Sequence, residues 1–242
     1  MEPVATALSF YFGVLEPIQS AKSIHGQIDE LKDCLESAIE RPIVLAGHSW
    51  GAWLCYLFTI KYPEFVGKLI LVSSAPFETS YIEQISLNRI KKLNEQERTE
   101  YFDILNRLHG SDSEKMCADL SRLGNLVKKA DIIEPIDKLP FSTLANELTK
   151  NSGEIHERVW SEAAKLRASG ELLELAKDIK CPVTIVHGEN DSHPFEGVKK
   201  PLQKSIDKMQ CYTLKQCGHY PWLEKHACEK FYSILRAETT AC

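Results

Sequence analysis

Short runs of apolar residues at three places along the chain predict buried β-strands. They cover residues 43–46, 69–72 and 183–186, and Thr184 is the one polar residue within them. Nearly continuous apolar runs of this kind suit parallel strands that are buried on both faces of a sheet. A fourth strand is predicted at residues 210–214, where apolar and polar side chains mix.

Helical periodicity separates these strands. Between residues 24 and 39 apolar side chains recur at steps of three and four positions, and Ser23 precedes them as a predicted N-cap. Further apolar helical stretches occupy residues 52–60 and the region around Phe231. Strands that alternate with helices predict the α/β fold class, with a mostly parallel sheet flanked by helices.

Residues 78–170 interrupt this alternation, because their apolar positions follow a helical pattern and no strand signal occurs. Asn94 with Glu97, and Ser111 with Glu114, have the spacing of capping boxes. We predict an all-helical cap at residues 78–170, inserted into a core that residues 1–77 and 171–242 form together. A chain of 242 residues with 43% apolar content is long enough for this arrangement.

Net charge and the N-terminal residues argue against a nucleic-acid-binding protein and against a secreted or membrane-spanning one. Twenty-nine Lys and Arg residues against 34 Asp and Glu give a net charge of −5, which offers no basic field for a nucleic-acid backbone. The first apolar stretch has no positively charged start and is broken at Gly13 and Pro17, so we expect neither a signal peptide nor a membrane span.

Cysteine usage indicates a reducing compartment. The eight cysteines form no C-x-x-C pair and no Cys/His pattern typical of a zinc site. They are Cys34, Cys55, Cys117, Cys181, Cys211, Cys217, Cys228 and Cys242. We expect reduced thiols in a cytoplasmic protein, and a clustered ligand set for a metal is not evident, so neither a metal nor a cofactor is predicted.

A Gly-x-Ser-x-Gly motif supplies the candidate nucleophile. Gly47, Ser49 and Gly51 lie between a predicted buried strand and a predicted helix, and the two glycines would spare the turn a steric clash at the serine. A serine hydroxyl on such a strained turn is suited to attack a carbonyl group. The backbone N–H of Trp50 is the first candidate oxyanion donor.

A carboxylate and an imidazole follow later predicted strands. Asp191 comes after the strand at residues 183–186, and His219 comes after the last strand, which gives the chain order Ser49, Asp191, His219. Glu189 and Glu78 are alternative acids, and His193 is the rival base, although its place on the loop of Asp191 makes its presentation to Ser49 awkward.

Six histidines are expected to have other roles. His48 is predicted to pack inside the turn and His187 to be a hydrogen-bonded core group. Solvent-facing positions are predicted for the four on helices or helix ends, which are His25, His109, His156 and His226.

The segments GHSWGA, KLILVSS, VTIVHGENDSHP and CGHYPWLEK together resemble the α/β-hydrolase family across nearly the whole chain. The resemblance is closest to capped esterases and proline iminopeptidases. It implies a serine hydrolase that cleaves an ester, amide or thioester of a small to medium substrate through an acyl-enzyme. Trp50, Tyr220 and Trp222 flank the triad and would line an apolar pocket.

The chain departs from the family at its front, where the resemblance implies strands that this sequence lacks. Residues 3–12 match the end of the family's first helix, so the fold is expected to be N-terminally truncated and to lack the loop that gives a second oxyanion N–H. We hypothesise that residues 4–12 cover the resulting sheet edge, that a homodimer covers it, or that the sequence is a shortened version of a longer hydrolase.

Two further functions stay open on these residues. A non-catalytic binding protein would keep the fold and the triad but lose turnover with the oxyanion loop. A cofactor-free haloperoxidase-like or acyl-transfer activity would use the same triad, whereas a dehalogenase would need aspartate in place of Ser49.

Overall fold

A computed structural model describes residues 1–38, 41–108, 113–136 and 149–240. Its four strands are β1 (Ile43–His48), β2 (Val66–Val72), β3 (Val183–Gly188) and β4 (Met209–Leu214). They form one sheet in the order β1-β2-β3-β4, and every neighbouring pair is parallel. The predicted fold class and all four predicted strands are confirmed.

Helices precede, connect and follow these strands. In chain order they are α1 (Glu2–Leu8), α2 (Ile24–Ala38), α3 (Trp50–Lys61), α4 (Ile82–Lys92), α5 (Glu95–Leu108), α6 (Ser113–Ala130), α7 (Thr149–Ala168), α8 (Glu171–Glu174), α9 (Glu196–Leu202) and α10 (Cys228–Thr240). Short 3₁₀ turns occur at Pro63–Phe65, Thr79–Tyr81, Leu175–Asp178 and Pro221–Leu223.

Apolar side chains on the two faces of the sheet build two cores. On one face Leu71 and Ile185 pack with buried residues of α2, α3 and α9. On the other face Ile70 and Val186 pack with Phe231 of α10 and with buried residues around it. Burial on both faces explains why β2 and β3 have almost continuous apolar sequences.

Local capping chemistry agrees with the sequence in two helices. Ser23 Oγ accepts a hydrogen bond of 3.1 Å from the N–H of Gly26, as an N-cap of α2 should. At the start of α5, Asn94 and Glu97 exchange the two reciprocal bonds of a capping box, at 3.1 and 2.9 Å. Ser111, the predicted cap of the next helix, lies outside the described residues.

Between β2 and β3 the described residues form helices joined by short loops, with one isolated bridge from Pro135 to Glu224 and no further strand. Helices α5 and α6 enclose a small core of their own, with Tyr101, Ile104 and Leu126 buried in it. Helix α7 differs, because its Ala163 is buried in the main core and its Trp160 packs against that core. The cap boundaries at residues 78 and 170 stay a prediction.

The strand that precedes the candidate nucleophile lies at the edge of the sheet. On its outer side β1 has no partner strand among the described residues, and only Leu45 and Gly47 of its side-chain positions are buried. Residues 2–8 form α1, whose Val4 is buried in the core that Val44 and Ala46 also contact. The N-terminal residues therefore cover part of one face as a helix, and the homodimer stays a prediction.

Helix length and cysteine state can be read for the described residues. No helix there is both long and apolar enough to cross a bilayer. Cys55, Cys211, Cys217 and Cys228 are not in disulfides, and burial raises the pKa of the Cys55 thiol to about 12.

Candidate active site

Ser49 occupies a strained turn between β1 and α3. Its backbone has φ 54° and ψ −116°, a conformation that L-residues rarely adopt and that clusters at functional sites. Its N–H donates to the carbonyl of Val72 at 3.0 Å, which ties the turn to the end of β2. The motif thus has the strand–turn–helix geometry of a nucleophile elbow.

Only one of the two motif glycines is required for steric reasons. A Cβ on Gly47 would lie 2.1 Å from the carbonyl oxygen of Gly51, which no packed structure tolerates. Around Gly51 itself there is open space within 4 Å. The expectation that both glycines prevent a clash is therefore right for Gly47 and wrong for Gly51, because Gly51 already lies in the first turn of α3.

Asp191 and His219 lie on the loops that follow β3 and β4, at the same edge of the sheet as Ser49. His219 Nδ1 lies 3.0 Å from each oxygen of the Asp191 carboxylate. Both side chains are buried, with His219 3% and Asp191 7% exposed. An imidazole held by two carboxylate contacts has one tautomer fixed, with the proton on Nδ1 and Nε2 left as an acceptor.

His48 joins the Ser49 turn to the loop of His219. Its Nε2 donates to the main-chain carbonyl of His219 over 2.8 Å, and the two rings lie 4.7 Å apart. Burial, followed by the charge of His219, holds the pKa of His48 well below its ordinary value, so the ring is neutral. The predicted packing role of His48 fits these contacts, which bring the residue beside Ser49 against the candidate base.

The carboxylate of Asp191 is charged despite its burial. Burial alone would raise its pKa, but the charges of His219 and His187 and the hydrogen bonds from His193 and His219 outweigh it. The pKa of Asp191 is therefore held well below its usual value. An ionised carboxylate at this position can stabilise an imidazolium that forms on His219.

His193, the rival base, contacts both members of this pair. Its main-chain N–H donates to Asp191 Oδ1 at 2.8 Å, its Nδ1 lies 3.3 Å from the same oxygen, and its ring stacks on His219 at 4.3 Å. Burial, followed by the charge of His219, lowers the pKa of His193 to about 4. The carboxylate thus contacts the imidazoles of both His193 and His219, and of these two only His219 reaches both of its oxygens.

His187 completes the surroundings of Asp191. Its Nε2 donates to the carbonyl of His193 at 2.8 Å and lies 3.4 Å from Asp191 Oδ2, while its ring stacks on Phe195. The side chain is fully buried, which agrees with the predicted hydrogen-bonded core group.

The sequence pattern gave no sign of clustered metal-ligating side chains, but the structure brings three such residues close together. Asp191, His193 and His219 offer ligand atoms that all lie within 4.8 Å of one another. The sequence pattern failed here because the fold brings together loops that are separated along the chain.

The two alternative acids and the remaining histidines make none of the described contacts with Asp191 or His219. Glu189 is exposed on the same loop, and Glu78 is half-buried before the first turn of the insertion. His25 and His226 are exposed and pair with Asp29 and Glu134. His109 and the side chain of His156 lie outside the described residues.

The three aromatic residues expected near the substrate have different surroundings. Trp50 donates its indole N–H to Gln27 of α2 at 3.0 Å and its ring lies 5.9 Å from Trp160 of α7. Tyr220 is half-buried, with its ring 5.1 Å from that of His219. Trp222 is buried and packs edge-on to His48, so it supports the residue that precedes Ser49.

Sequence reasoning missed an ion pair that anchors the histidine loop. Arg89 of α4 forms a bidentate pair with the fully buried Asp131, which follows α6, at distances of 2.7 to 3.2 Å. Burial would lower the pKa of Arg89, but the hydrogen bond and charge of Asp131 raise it, so the pair is ionic. The carbonyl of Asp131 accepts the main-chain N–H of His219 at 2.7 Å.

Helix α4 also holds the loop of Asp191. Lys92 Nζ donates to the carbonyl of Asn190 at 2.6 Å and to Ser192 Oγ at 3.1 Å, and Asn88 donates to the carbonyl of Ser192 at 3.0 Å. Burial lowers the pKa of Lys92. One helix of the insertion therefore bonds the loop of the candidate acid directly and is linked to the candidate base through Asp131.

Glu224 is a second missed residue. Its buried carboxylate accepts main-chain N–H bonds from Gly218 at 2.8 Å and from Ile133 and Glu134 at 2.9 Å. A Cβ on Gly218 would lie 2.3 Å from the carbonyl of Asp131, so glycine is required for this close approach. In the sequence both carboxylates directly follow an apolar residue, at Leu223-Glu224 and Ala130-Asp131. This adjacency is the signal that could have indicated them.

The relation to known proteins follows from a family comparison. A model of the alpha/beta hydrolase fold family matches residues 23–226. The chain belongs to the α/β-hydrolase family. The matched range of this α/β-hydrolase contains Ser49, Asp191 and His219, as well as the helical insertion.

Curated relatives are distant and longer. The α/β-hydrolase is 26% identical over 234 residues to a 1-acylglycerol-3-phosphate O-acyltransferase of Arabidopsis thaliana, covering 85% of this chain and 54% of that protein. It is 24% identical over 205 residues to the 2-hydroxy-6-oxononadienedioate/2-hydroxy-6-oxononatrienedioate hydrolase of Escherichia coli strain K12, covering 85% of this chain and 65% of that protein. The chain therefore spans less than two thirds of the length of either relative.

A solved structure supports the fold. Proline iminopeptidase of Mycobacterium smegmatis aligns with a TM-score of 0.57 and 16% identity, over 92% of this chain and 74% of that one. At this identity the similarity concerns the fold alone.

The backbone N–H of Trp50 stays the candidate oxyanion donor of this α/β-hydrolase. Trp50 is the first residue of α3, and an N–H at this position has no partner within its own helix. It therefore lies where the positive end of the helix dipole would face a negative oxygen at Ser49. On the far side of β1 no strand of the described residues offers a loop for a second donor.

Proposed function

We propose that this α/β-hydrolase is a serine hydrolase with Ser49 as nucleophile, His219 as general base and Asp191 as the group that orients His219. Ser49 attacks an ester, amide or thioester carbonyl while His219 takes the hydroxyl proton. The same proton then passes to the leaving group, and water releases the acyl group by the reverse sequence.

The contact of His219 Nδ1 with both oxygens of Asp191, at 3.0 Å each, is the observation that carries this proposal. It leaves Nε2 as the ring nitrogen that can accept a proton. The bond from His48 to the carbonyl of His219 supports the same assignment, because it holds the residue adjacent to Ser49 against the base.

The aromatic side chains beside the candidate triad support a proposal for the substrate class. Half-buried aromatic rings at Trp50 and Tyr220 suit an apolar acyl or aromatic group of small to medium size. Residues 78–170 would act as the cap over the substrate. The cysteines that are not in disulfides fit a cytoplasmic location. The names of the two relatives, a hydrolase and an O-acyltransferase, are both compatible with an acyl-enzyme that water or an alcohol resolves.

Covalent labelling with a fluorophosphonate probe tests the nucleophile. We expect wild-type protein to label and Ser49→Ala not to label, while Ser233→Ala on the exposed face of α10 labels like wild type. Absence of labelling in a folded wild-type sample would contradict the assignment of Ser49 as nucleophile.

A second pair of variants tests the acid. Asp191→Asn should slow hydrolysis of a p-nitrophenyl ester by about 10⁴-fold, because an amide cannot hold the correct tautomer. Glu189→Gln, an exposed carboxylate on the same loop, should change the rate by less than about twofold. Equal losses in both variants would assign the effect to the loop and not to Asp191.

The position of β1 at the sheet edge favours one alternative, a binding protein without turnover. Loss of one oxyanion donor costs about 10²- to 10³-fold in rate. This alternative predicts that a p-nitrophenyl ester or its carboxylate product binds, with saturable tryptophan quenching, while no hydrolysis above the Ser49→Ala background occurs.

A further inference from the structure

The carboxylate of Asp191 is contacted by a histidine that has no step in the proposed hydrolysis, in addition to the candidate base. His193 Nδ1 lies 3.3 Å and His219 Nδ1 lies 3.0 Å from the same oxygen, Asp191 Oδ1. All three residues are at most 7% exposed. Within the part of the chain that the structure describes, this is the one cluster of three or more His, Cys, Asp or Glu residues that could hold a metal ion.

Two imidazoles and one carboxylate are a donor set that borderline divalent metals prefer. In a tetrahedral zinc site, metal–ligand distances near 2.0–2.1 Å place the ligand atoms roughly 3.3 Å apart. The two nitrogen–oxygen distances of 3.3 and 3.0 Å are close to this spacing. The third pair, the two imidazole nitrogens, lies within 4.8 Å, so the rings must move closer together to admit an ion.

We propose that Asp191, His193 and His219 form an inhibitory Zn²⁺ site in this protein. The binding half of the proposal stands on the cluster itself, and the inhibitory half rests on the proposed function. Three protein ligands leave a fourth position for water, as three-ligand zinc sites in general do.

The chemistry of inhibition is a change of tautomer. When zinc binds His219 at Nδ1, the proton that this nitrogen shares with Asp191 in a hydrogen bond must leave it, and in the neutral ring it moves to Nε2. A proton on Nδ1 of His193, which also faces Asp191, moves to Nε2 of its own ring in the same way. Each ring proton is conserved, and no oxidant or reductant takes part. An Nε2 that carries a proton cannot accept one from Ser49, so the nucleophile loses its base. Asp191 exchanges its hydrogen bonds for a bond to the metal.

His193 gives the site its third ligand and has no step in the proposed hydrolysis. Its stacking on His219 at 4.3 Å is the contact that brings the second imidazole within reach of the same ion. Without His193 the site would have one imidazole and one carboxylate, which bind zinc weakly. A variant at this position therefore separates metal binding from the rest of the site.

Competition for Zn²⁺ with a chromophoric chelator measures the binding half on the full chain. We expect His193→Gln to weaken zinc binding by more than about tenfold. His226→Gln, an exposed histidine that pairs with Glu134, should bind zinc like wild type. No binding by wild type, or equal affinity of wild type and His193→Gln, would overturn the proposal.

Because the chain has eight cysteines, cobalt spectroscopy on wild type identifies the ligands independently of any variant. Co²⁺ should give the visible bands of a nitrogen–oxygen site without the near-ultraviolet band of thiolate ligands. A thiolate band at one equivalent of Co²⁺ would assign the metal to cysteine and end the proposal, even if His193→Gln failed to fold.

The inhibitory half is read from the fluorophosphonate labelling rate of Ser49. Each protein is compared with its own zinc-free rate, and zinc should slow wild type but not His193→Gln. Unchanged labelling of zinc-loaded wild type would overturn inhibition. If wild type fails to label even without zinc, the proposed hydrolase fails, while the chelator and cobalt experiments still decide whether the metal site exists.

Discussion

The main-chain N–H of His219 donates to the carbonyl oxygen of Asp131 over 2.7 Å. Asp131 follows the last residue of α6, and Arg89 of α4 holds its buried side chain in a bidentate pair. The position of the candidate base is thus set by the helical insertion as well as by β4. The insertion is therefore part of the framework of the site, in addition to any role as its cover.

Arg89→Gln tests this coupling. The change leaves the fully buried Asp131 without its cation, and breaking a buried pair in this way costs about 3–5 kcal/mol. We expect a loss toward the lower end of that range, because Arg89 is partly exposed, together with slower ester hydrolysis. Urea unfolding gives the stability and initial rates give the activity.

Arg107→Gln is the matched control for this experiment. Arg107 pairs with Asp119 in the same bidentate manner, but its side chain is 52% exposed. Exposed pairs contribute at most about 1 kcal/mol. If both variants lose the same stability, the buried pair with Asp131 has no special role.

Patterns within single segments were enough to predict the core of the fold from the sequence. The apolar runs that end at Ala46, Val72 and Val186 each became a parallel strand, because burial on both faces demands such runs. Asp191 and His219 were found from their positions after strands, since loops at one edge of a parallel sheet must converge.

Contacts between distant segments could not be predicted. Nothing in the spacing of Asp131 and His219 says that one backbone bonds the other, because that contact depends on how α6 ends against the sheet. The contact of His193 with His219 was not predicted for a related reason. Its distance to Asp191 along the chain was known, but the fold of the loop, which stacks it on His219, was not.

Glu224→Gln is expected to loosen the junction between the insertion and the histidine loop. The carboxylate accepts three main-chain N–H groups, and an amide would turn a donor toward at least one of them. We expect a loss of about 2–3 kcal/mol in the free energy of unfolding. Glu134→Gln, an exposed residue in the same segment, should lose less than about 1 kcal/mol, and a larger loss there would contradict this account.

Glu238 makes stability depend on pH. Burial would raise its pKa, but hydrogen bonds from Thr184, Tyr212 and Lys68 outweigh it and lower the pKa in the folded protein. A lowered pKa means that the contribution is fully present above the unfolded value of about 4.3 and is lost as pH falls through the folded value.

The difference in urea midpoint between wild type and Glu238→Gln should therefore be large at pH 7 and should shrink as the pH is lowered below about 4.3. Glu229→Gln, exposed on the same helix, should show little difference at either pH. A gap between wild type and Glu238→Gln that is the same at both pH values would show that the charge of this carboxylate is not what matters.

The two motif glycines give the sharpest test of the turn at Ser49. Gly47→Ala places a Cβ 2.1 Å from the carbonyl oxygen of Gly51, so either the strand end or the first turn of α3 must move. We expect a loss of about 3 kcal/mol or more in unfolding free energy and no labelling of Ser49 by the fluorophosphonate probe. Gly51→Ala meets open space inside a helix, where alanine is favoured over glycine by about 1 kcal/mol. Urea unfolding should therefore rank Gly51→Ala at or above wild type and Gly47→Ala far below it, and the reverse ranking would show that the turn is built differently.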